Sequence, residues 1–293
     1  MESSWNEDRK ISTRLRGSWF RGPLIAVVLV LVALIGCRGG AFGPPSRPSA
    51  KDGVHRIVAS GQLRVGISGV QPPLNMKNKA GELIGLDVDL ARALATAMNV
   101  ELVLVERPFS GLLTDLDKSD VDLVISSLTI TPARNARVAF AGPYMISGAT
   151  LLTREEILDD VDELHELDSP DRTWGALEGS TNEALIRSAF PQAKLVVTDD
   201  LASLLPRIRA GEIDGFITDL PYVRFTLARN PGAGFVALAP PFTTEPLGIA
   251  LPADSPLLAN LVQNYLNTLE YTGALIQMKT RWLGGHEWLS ELP

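Results

Sequence analysis

The chain contains one cysteine, Cys37, so an intrachain disulfide is excluded and the spacings by which cysteine and histidine hold zinc are absent. Its three histidines, His55, His165 and His286, stand far apart and fit no metal or catalytic-triad spacing. No metal and no other cofactor is expected. Positive charge is also scarce. A formal net charge of −7, with no basic patch after the first forty residues, argues against a nucleic-acid partner, because phosphate binding needs clustered Lys and Arg. No uncharged apolar run reaches the roughly 20 residues that a membrane-crossing helix requires. What remains is ordinary globular material: 293 residues, 45% hydrophobic and 21% charged, enough for one large or two medium domains.

The cysteine is informative through its position. Arg9, Lys10, Arg14, Arg16 and Arg21 precede an uncharged run of 16 residues, Gly22 to Cys37, rich in Leu, Val and Ile. Such a run fits the apolar core of a secretory signal. It ends in "LIGC", Leu34 to Cys37, which resembles the bacterial lipobox, where the chain is cut before the cysteine and the new N-terminus carries lipid. A lipid on Cys37 implies an extracytoplasmic protein held to the membrane through that anchor. Cleavage removes five basic and three acidic residues, leaving 22 against 31 and a net charge near −9. Residues 37–60, opening with the Gly, Pro and Ser of "CRGGAFGPPSRPSAKDG", read as a flexible linker.

From Gly61 strand-like and helix-like segments alternate, which argues for α/β architecture with parallel sheet. "LRVGI" and "ELVLV" are buried-strand candidates, and Leu86, Leu90, Leu94 and Met98 form one stripe of a helix. A second run of the same kind starts at Thr173, after the acidic "EEILDDVDELHELDSPD", which reads as a solvated helix and loop. The two runs share a repeat. "SGLLTDLDKSDVDLVIS" (110–126) aligns without a gap on "ASLLPRIRAGEIDGFIT" (202–218), matching Leu112 to Leu204, Leu116 to Ile208, Asp122 to Asp214 and Ser126 to Thr218. Two similar lobes follow, each ending a strand in a hydroxyl. Ligands of open α/β sheets sit beyond the carboxyl ends of the strands. Facing lobes would thus set Ser126 on one wall of a cleft and Thr218 with Asp219 on the other. "ISSLTITPAR" (125–134) puts Ser126, Ser127, Thr129 and Arg134 at such a strand end, the fork of an arginine being suited to a carboxylate.

The successive blocks "GQLRVGISGVQPPLN", "GELIGLDVDLARALA", "VDLVISSLTITPARNARVAFAGPYMISG", "GSTNE", "GEIDGFITD" and "EPLGIAL" resemble those of the family 3 bacterial extracytoplasmic solute-binding proteins. The resemblance runs from about Gly61 to Trp288. It implies the two-lobed type II periplasmic binding protein fold, with 61–148 plus 245–293 as lobe 1, 149–244 as lobe 2 and two hinge strands. It also implies a polar amino acid as ligand and the permease of an ABC importer as partner, on a chain expected to be a monomer. By the same resemblance Arg134, Thr129 and Thr181 bind the ligand carboxylate, and Asp219 binds its ammonium.

The side-chain pocket departs from the family pattern. Many members carry aromatic residues where Gln71 and Leu74 stand, and members for basic amino acids carry an acid at Ser68. Phe109 matches a pocket aromatic, so Ser68, Gln71 and Phe109 point to a neutral polar ligand. A second reading stays open, because exported cyclohexadienyl dehydratases resemble the same family and share the segment Thr181–Glu183. Dehydration needs a general acid near the leaving hydroxyl. Those enzymes place a glutamate three residues past the match to Asp219, where this chain has Tyr222, which leaves Glu183 as the nearby acid.

Overall fold

The computed structural model describes residues 53–159, 161, 163–285 and 287–292. Cys37, the lipobox and most of the expected linker lie outside the described residues. The linker expectation, which ran to Ser60, needs correction, since Gly53–Ser60 is a helix. Val54 and Ile57 lie on one face of that helix, and Ile57 is fully buried. The Gly53 N–H donates to Ser255 Oγ at 3.3 Å. The Gly, Pro and Ser that mark a linker stop before this face begins.

In the first lobe, strands β1 (Gln62–Ile67), β4 (Glu101–Glu106) and β5 (Leu123–Thr129) run parallel, and a small hairpin is made by β2 (Met76–Lys77) and β3 (Leu83–Ile84). Strand β6 (Ala139–Ser147) closes this sheet at one edge. In the second lobe β7 (Ala149–Arg154) lies antiparallel to β10 (Gly215–Asp219) and to β11 (Phe235–Ala237), while β8 (Thr173–Leu177) and β9 (Lys194–Thr198) run parallel with β10. Strand β12 (Glu245–Leu251) returns to the first sheet, antiparallel between β5 and β6. The sheet orders are β4-β1-β5-β12-β6 and β11-β7-β10-β8-β9. Each lobe thus has three adjacent parallel strands, with one strand of opposite sense, β12 or β7, between them and the edge strand β6 or β11.

Helices on both faces explain why β1 and β5 read as near-continuous apolar runs. On one face Leu86, Leu90 and Leu94 of the helix Leu86–Ala97 are buried with Leu258, Val262 and Leu266 of the helix Pro256–Tyr271, and on the other Leu112 and Leu116 of the helix Leu112–Asp117 pack on Val124 and Leu128. The acidic segment forms a short helix, Glu155–Asp159, and a tight turn, Leu164–Leu167. Of its described residues Ile157 and Leu167 are buried in the lobe, with Trp174 Nε1 donating to Leu167 O at 2.9 Å.

The repeated aspartates have one job in two places. Asp122 accepts from the Arg64 N–H at 2.8 Å, and Asp214 accepts from the Thr173 N–H at 2.7 Å. Each ties the start of its lobe's first parallel strand to the entry of the third. Arg64 and Arg56 balance the first carboxylate, and Arg172 the second.

The chain crosses between the lobes at Gly148 and again between β11 and β12. Ala149 N–H donates to Thr243 Oγ1 at 3.0 Å and Phe242 N–H to Ala149 O at 2.7 Å, so the crossing segments lie side by side. A Cβ on Gly148 would sit 2.5 Å from Thr243 O, which only glycine avoids. Behind the crossings Phe225 of the second lobe stacks on Trp288, which packs with the first, at 5.9 Å between ring centres. Met145, Leu220, Trp282 and Trp288 border an apolar groove there.

Candidate ligand cleft

The carboxyl ends of β5 and β10 face each other across a cleft. Ser127, Thr129 and Arg134 line it from the first lobe with Gln71, Leu74 and Phe109, while Ser180, Thr181, Asn182, Thr218, Asp219 and Tyr222 line it from the second. The enclosed cavity is about 20 Å³. That is room for about one water and less than any amino acid occupies, so entry of a larger ligand requires the walls to part. The closure is apolar as well as polar. One buried cluster runs from Phe109, Leu112 and Leu128 of the first lobe to Leu177, Phe216 and Tyr222 of the second.

Arg134 belongs to the short turn Pro132–Asn135, capped by Thr131, whose hydroxyl accepts from the Arg134 N–H at 3.2 Å. Its guanidinium reaches across the cleft, donating to Thr129 O at 3.0 Å in its own lobe and to Gly179 O at 3.1 Å in the other. The ring of Phe109 lies 5.8 Å beneath it. Burial lowers the pKa of this group, and the charges of Glu245 and Asp219 hold it up. Facing it, Asp219 ends β10. Burial pushes its carboxyl up to about 7 and Glu245 pushes the same way, while a hydrogen bond from Asn182 and the charge of Arg134 oppose the rise.

The helix Thr181–Ala189 points its N-terminus at this space. Ser180 caps it by accepting from the Glu183 N–H at 3.1 Å. The first N–H groups of a helix have no intrahelical partner, and with the helix dipole they favour an anion. Two side-chain acceptors at the cleft, Gln71 Oε1 and Asn182 Oδ1, are buried without a hydrogen-bond partner. Both call for a donor.

The structure gathers Gln71, Phe109, Ser127, Thr129, Arg134, Thr181 and Asp219, as the sequence reading expects. It does not bring Ser68 or Ser126 to the cleft. Ser126 Oγ accepts from the Ser68 N–H at 3.0 Å and donates to Ser68 Oγ, which itself donates to Asn75 Oδ1 at 2.9 Å. These two serines knit β1 to β5 behind the wall. The physical reason is that both are buried there, their hydroxyls spent on each other and on Asn75. Ser127 turns its backbone to a φ of 52°, outside the usual range for serine. Asp87 anchors it there, accepting from the Ser127 N–H and hydroxyl at 3.0 and 3.2 Å as well as from Asn75 and Tyr144 at 2.7 Å each.

Asp87 and Glu245 escaped the sequence reading. Asp87 is fully buried with its pKa raised to about 6 by burial, against four hydrogen bonds. Its signal was a carboxylate in the first turn of an apolar helix. Glu245 opens β12, and its Oε2 accepts from Thr129 at 2.6 Å and from Thr181 at 2.9 Å. Among the described residues no group of three or more His, Cys, Asp or Glu is placed to hold a metal ion.

Residues 63–285 match the profile of the bacterial extracellular solute-binding proteins, family 3. The chain is 27% identical to ABC transporter arginine-binding protein 1 of Escherichia coli over 227 residues, 76% of this chain and 91% of that protein. It is 28% identical to cyclohexadienyl dehydratase of Pseudomonas aeruginosa, over 78% of this chain and 85% of the enzyme. Among solved structures, a putative ABC transporter binding component from Wolinella succinogenes complexed with lysine superposes with a TM-score of 0.75 at 35% identity, covering 78% of this chain and 99% of that one.

Proposed function

From its membership of the bacterial extracellular solute-binding proteins of family 3, to which this chain belongs, we propose that it captures a polar amino acid outside the cytoplasm and delivers it to the permease of an ABC importer. The observation that carries this reading is the pairing of Arg134 and Asp219 on opposite walls of one closed cleft. An α-amino acid presents a carboxylate and an ammonium one carbon apart. The carboxylate goes to the Arg134 fork and the N-terminus of the helix Thr181–Ala189, and the ammonium goes to Asp219. Only the closed form lets both ends be held at once, so ligand favours closure. The hinge is formed by the crossings at Gly148 and at residues 238–244, with lobe 1 as 61–148 plus 245–293 and lobe 2 as 149–244.

Without Ser68 in the pocket, the ligand side chain meets Gln71, Phe109, Leu74 and Tyr222. No carboxylate other than Asp219 lines that space. The unpartnered Gln71 Oε1 suits a side chain that ends in a hydrogen-bond donor. Lipid on Cys37 tethers the protein to the membrane, and the chain acts as a monomer. The dehydratase relative supports a catalytic alternative. Against it stands Tyr222, a buried phenol packed edge-on to Phe216 and Phe225, whose proton burial holds on more firmly than usual.

A thermal-shift panel of the twenty amino acids, with prephenate and arogenate added, tests the reading. One or a few polar amino acids should raise the melting temperature, with calorimetric affinity near micromolar, which corresponds to about 8 kcal/mol. Arg134→Ala should abolish binding while leaving the unliganded melting temperature within about 2 °C. Unchanged affinity in that variant overturns the site, and turnover of prephenate or arogenate overturns the assignment as a binder.

A further inference from the structure

Glu245 sits at the first position of the returning strand β12, paired in register with Ser147 of β6 in the same sheet, and is only 5% exposed. No Lys or Arg within the described residues forms a salt bridge to it. Its needs are met by three hydroxyls instead. Oε2 takes Thr129 Oγ1 at 2.6 Å and Thr181 Oγ1 at 2.9 Å, and Oε1 takes Thr243 Oγ1 at 3.1 Å. Those hydroxyls come from three different parts of the molecule: the first wall, the second wall and the crossing segment. We propose that Glu245 is a positioning residue, a carboxylate latch that holds the two walls together through Thr181 and so sets how readily the cleft closes. This rests on the reading of the cleft as a hinge-closing amino-acid site, and it reassigns Thr129 and Thr181 from the ligand to the latch.

The geometry distinguishes the two bonds. Thr129 lies on β5, whose partner is β12 itself, with Thr129 opposite Leu247 in register. The Thr129–Glu245 bond is internal to one sheet and survives any rotation of the lobes. Thr181 opens a helix of the other lobe. Its bond to Glu245 exists only when the walls meet. A contact made in one of two conformations, and lost in the other, shifts the equilibrium toward the conformation that has it. A hydroxyl donating to a buried carboxylate is among the stronger such contacts. The oxygens of Thr129 and Thr181 are 3.3 Å apart, drawn together by the one carboxylate oxygen they share. With both hydroxyls committed, the ligand carboxylate is left to Arg134 and the backbone N–H groups at the start of the helix.

The test uses the full mature chain with spin labels at the exposed positions Lys118→Cys and Ser188→Cys, one on each lobe. Electron–electron double resonance on the unliganded protein gives the fraction at the short, closed distance. Glu245→Leu, which removes the acceptor, should lower that fraction about tenfold, and Thr181→Val, which removes one rim hydroxyl, should lower it as much. The double variant should fall no further than either single one, since both break the same bond. A closed fraction unchanged in Glu245→Leu, or effects of the two substitutions that add, overturns the latch. The distance measurement needs no ligand. Failure of the wild-type chain to bind any of the twenty amino acids would bring down the reading of the cleft while leaving the latch tested.

Discussion

Asp219 is the residue on which the pH behaviour of the cleft turns. Its pKa in the folded, unliganded protein is raised to about 7, first by burial and then by Glu245. A folded value above the ordinary one means that this group's contribution to fold stability is fully present below about 3.8 and is lost as pH rises through about 7. Binding of an ammonium runs the other way, because it needs the carboxylate ionised. Below pH 7 the ligand must displace a proton, so affinity should fall by up to tenfold per pH unit. Calorimetry at pH 6 in buffers of different ionisation enthalpy should show close to one proton released per amino acid bound. Asp219→Asn should bind weakly and show neither the release nor the slope. At this scale Arg134 and Asp219 were legible in the sequence, because each stands at a strand end where ligands of α/β sheets are held. Ser126 was misread because a hydroxyl's type does not say which face of the strand it occupies. Glu245 was missed because a glutamate before a proline at a strand's start looks like a solvated end, and only the meeting of two lobes makes it an interior group.

Among the elements, the repeated aspartates carry the clearest energetic statement. Asp122→Ala removes the acceptor of the Arg64 N–H and the partner of two guanidinium groups around a carboxylate that is 2% exposed. Loss of a buried acceptor of this kind costs about 1–3 kcal/mol. Urea unfolding should report a destabilisation in that range for Asp122→Ala and a smaller one for Asp214→Ala, whose pairing with Arg172 is longer at 3.4 Å and more exposed at 16%. A larger loss in the second lobe would contradict this account. The elements themselves were legible because parallel strands buried on both faces leave apolar runs and amphipathic helices leave stripes. The helix Gly53–Ser60 was not, since Val54 and Ile57 make a stripe of only two residues after a stretch rich in Gly and Pro. Its helicity comes from tertiary packing beside Ser255 and Leu258 rather than from local preference.

At the scale of the whole molecule, two lobes of like topology are joined by two crossings. The cleft lies on one side of those crossings, and the stacked pair of Phe225 and Trp288 lies on the other. A rotation that parts the cleft walls therefore changes the environment of Trp288. Beyond residue 36 the chain has tryptophan only at 174, 282 and 288. Trp174 is buried within the second lobe, while Trp282 packs on Trp288 with ring centres 5.5 Å apart and reports the same region more weakly. Emission should shift when a bound amino acid closes the cleft, and Trp288→Phe should remove most of the shift while leaving affinity within about twofold. An undiminished shift in that variant would show that the lobes move about a different axis. On the proposed closing motion, Phe225 and Trp288 would be the short arm of a lever whose long arm is the cleft, and Trp288 beside its fulcrum would be an optical gauge of how far it is open.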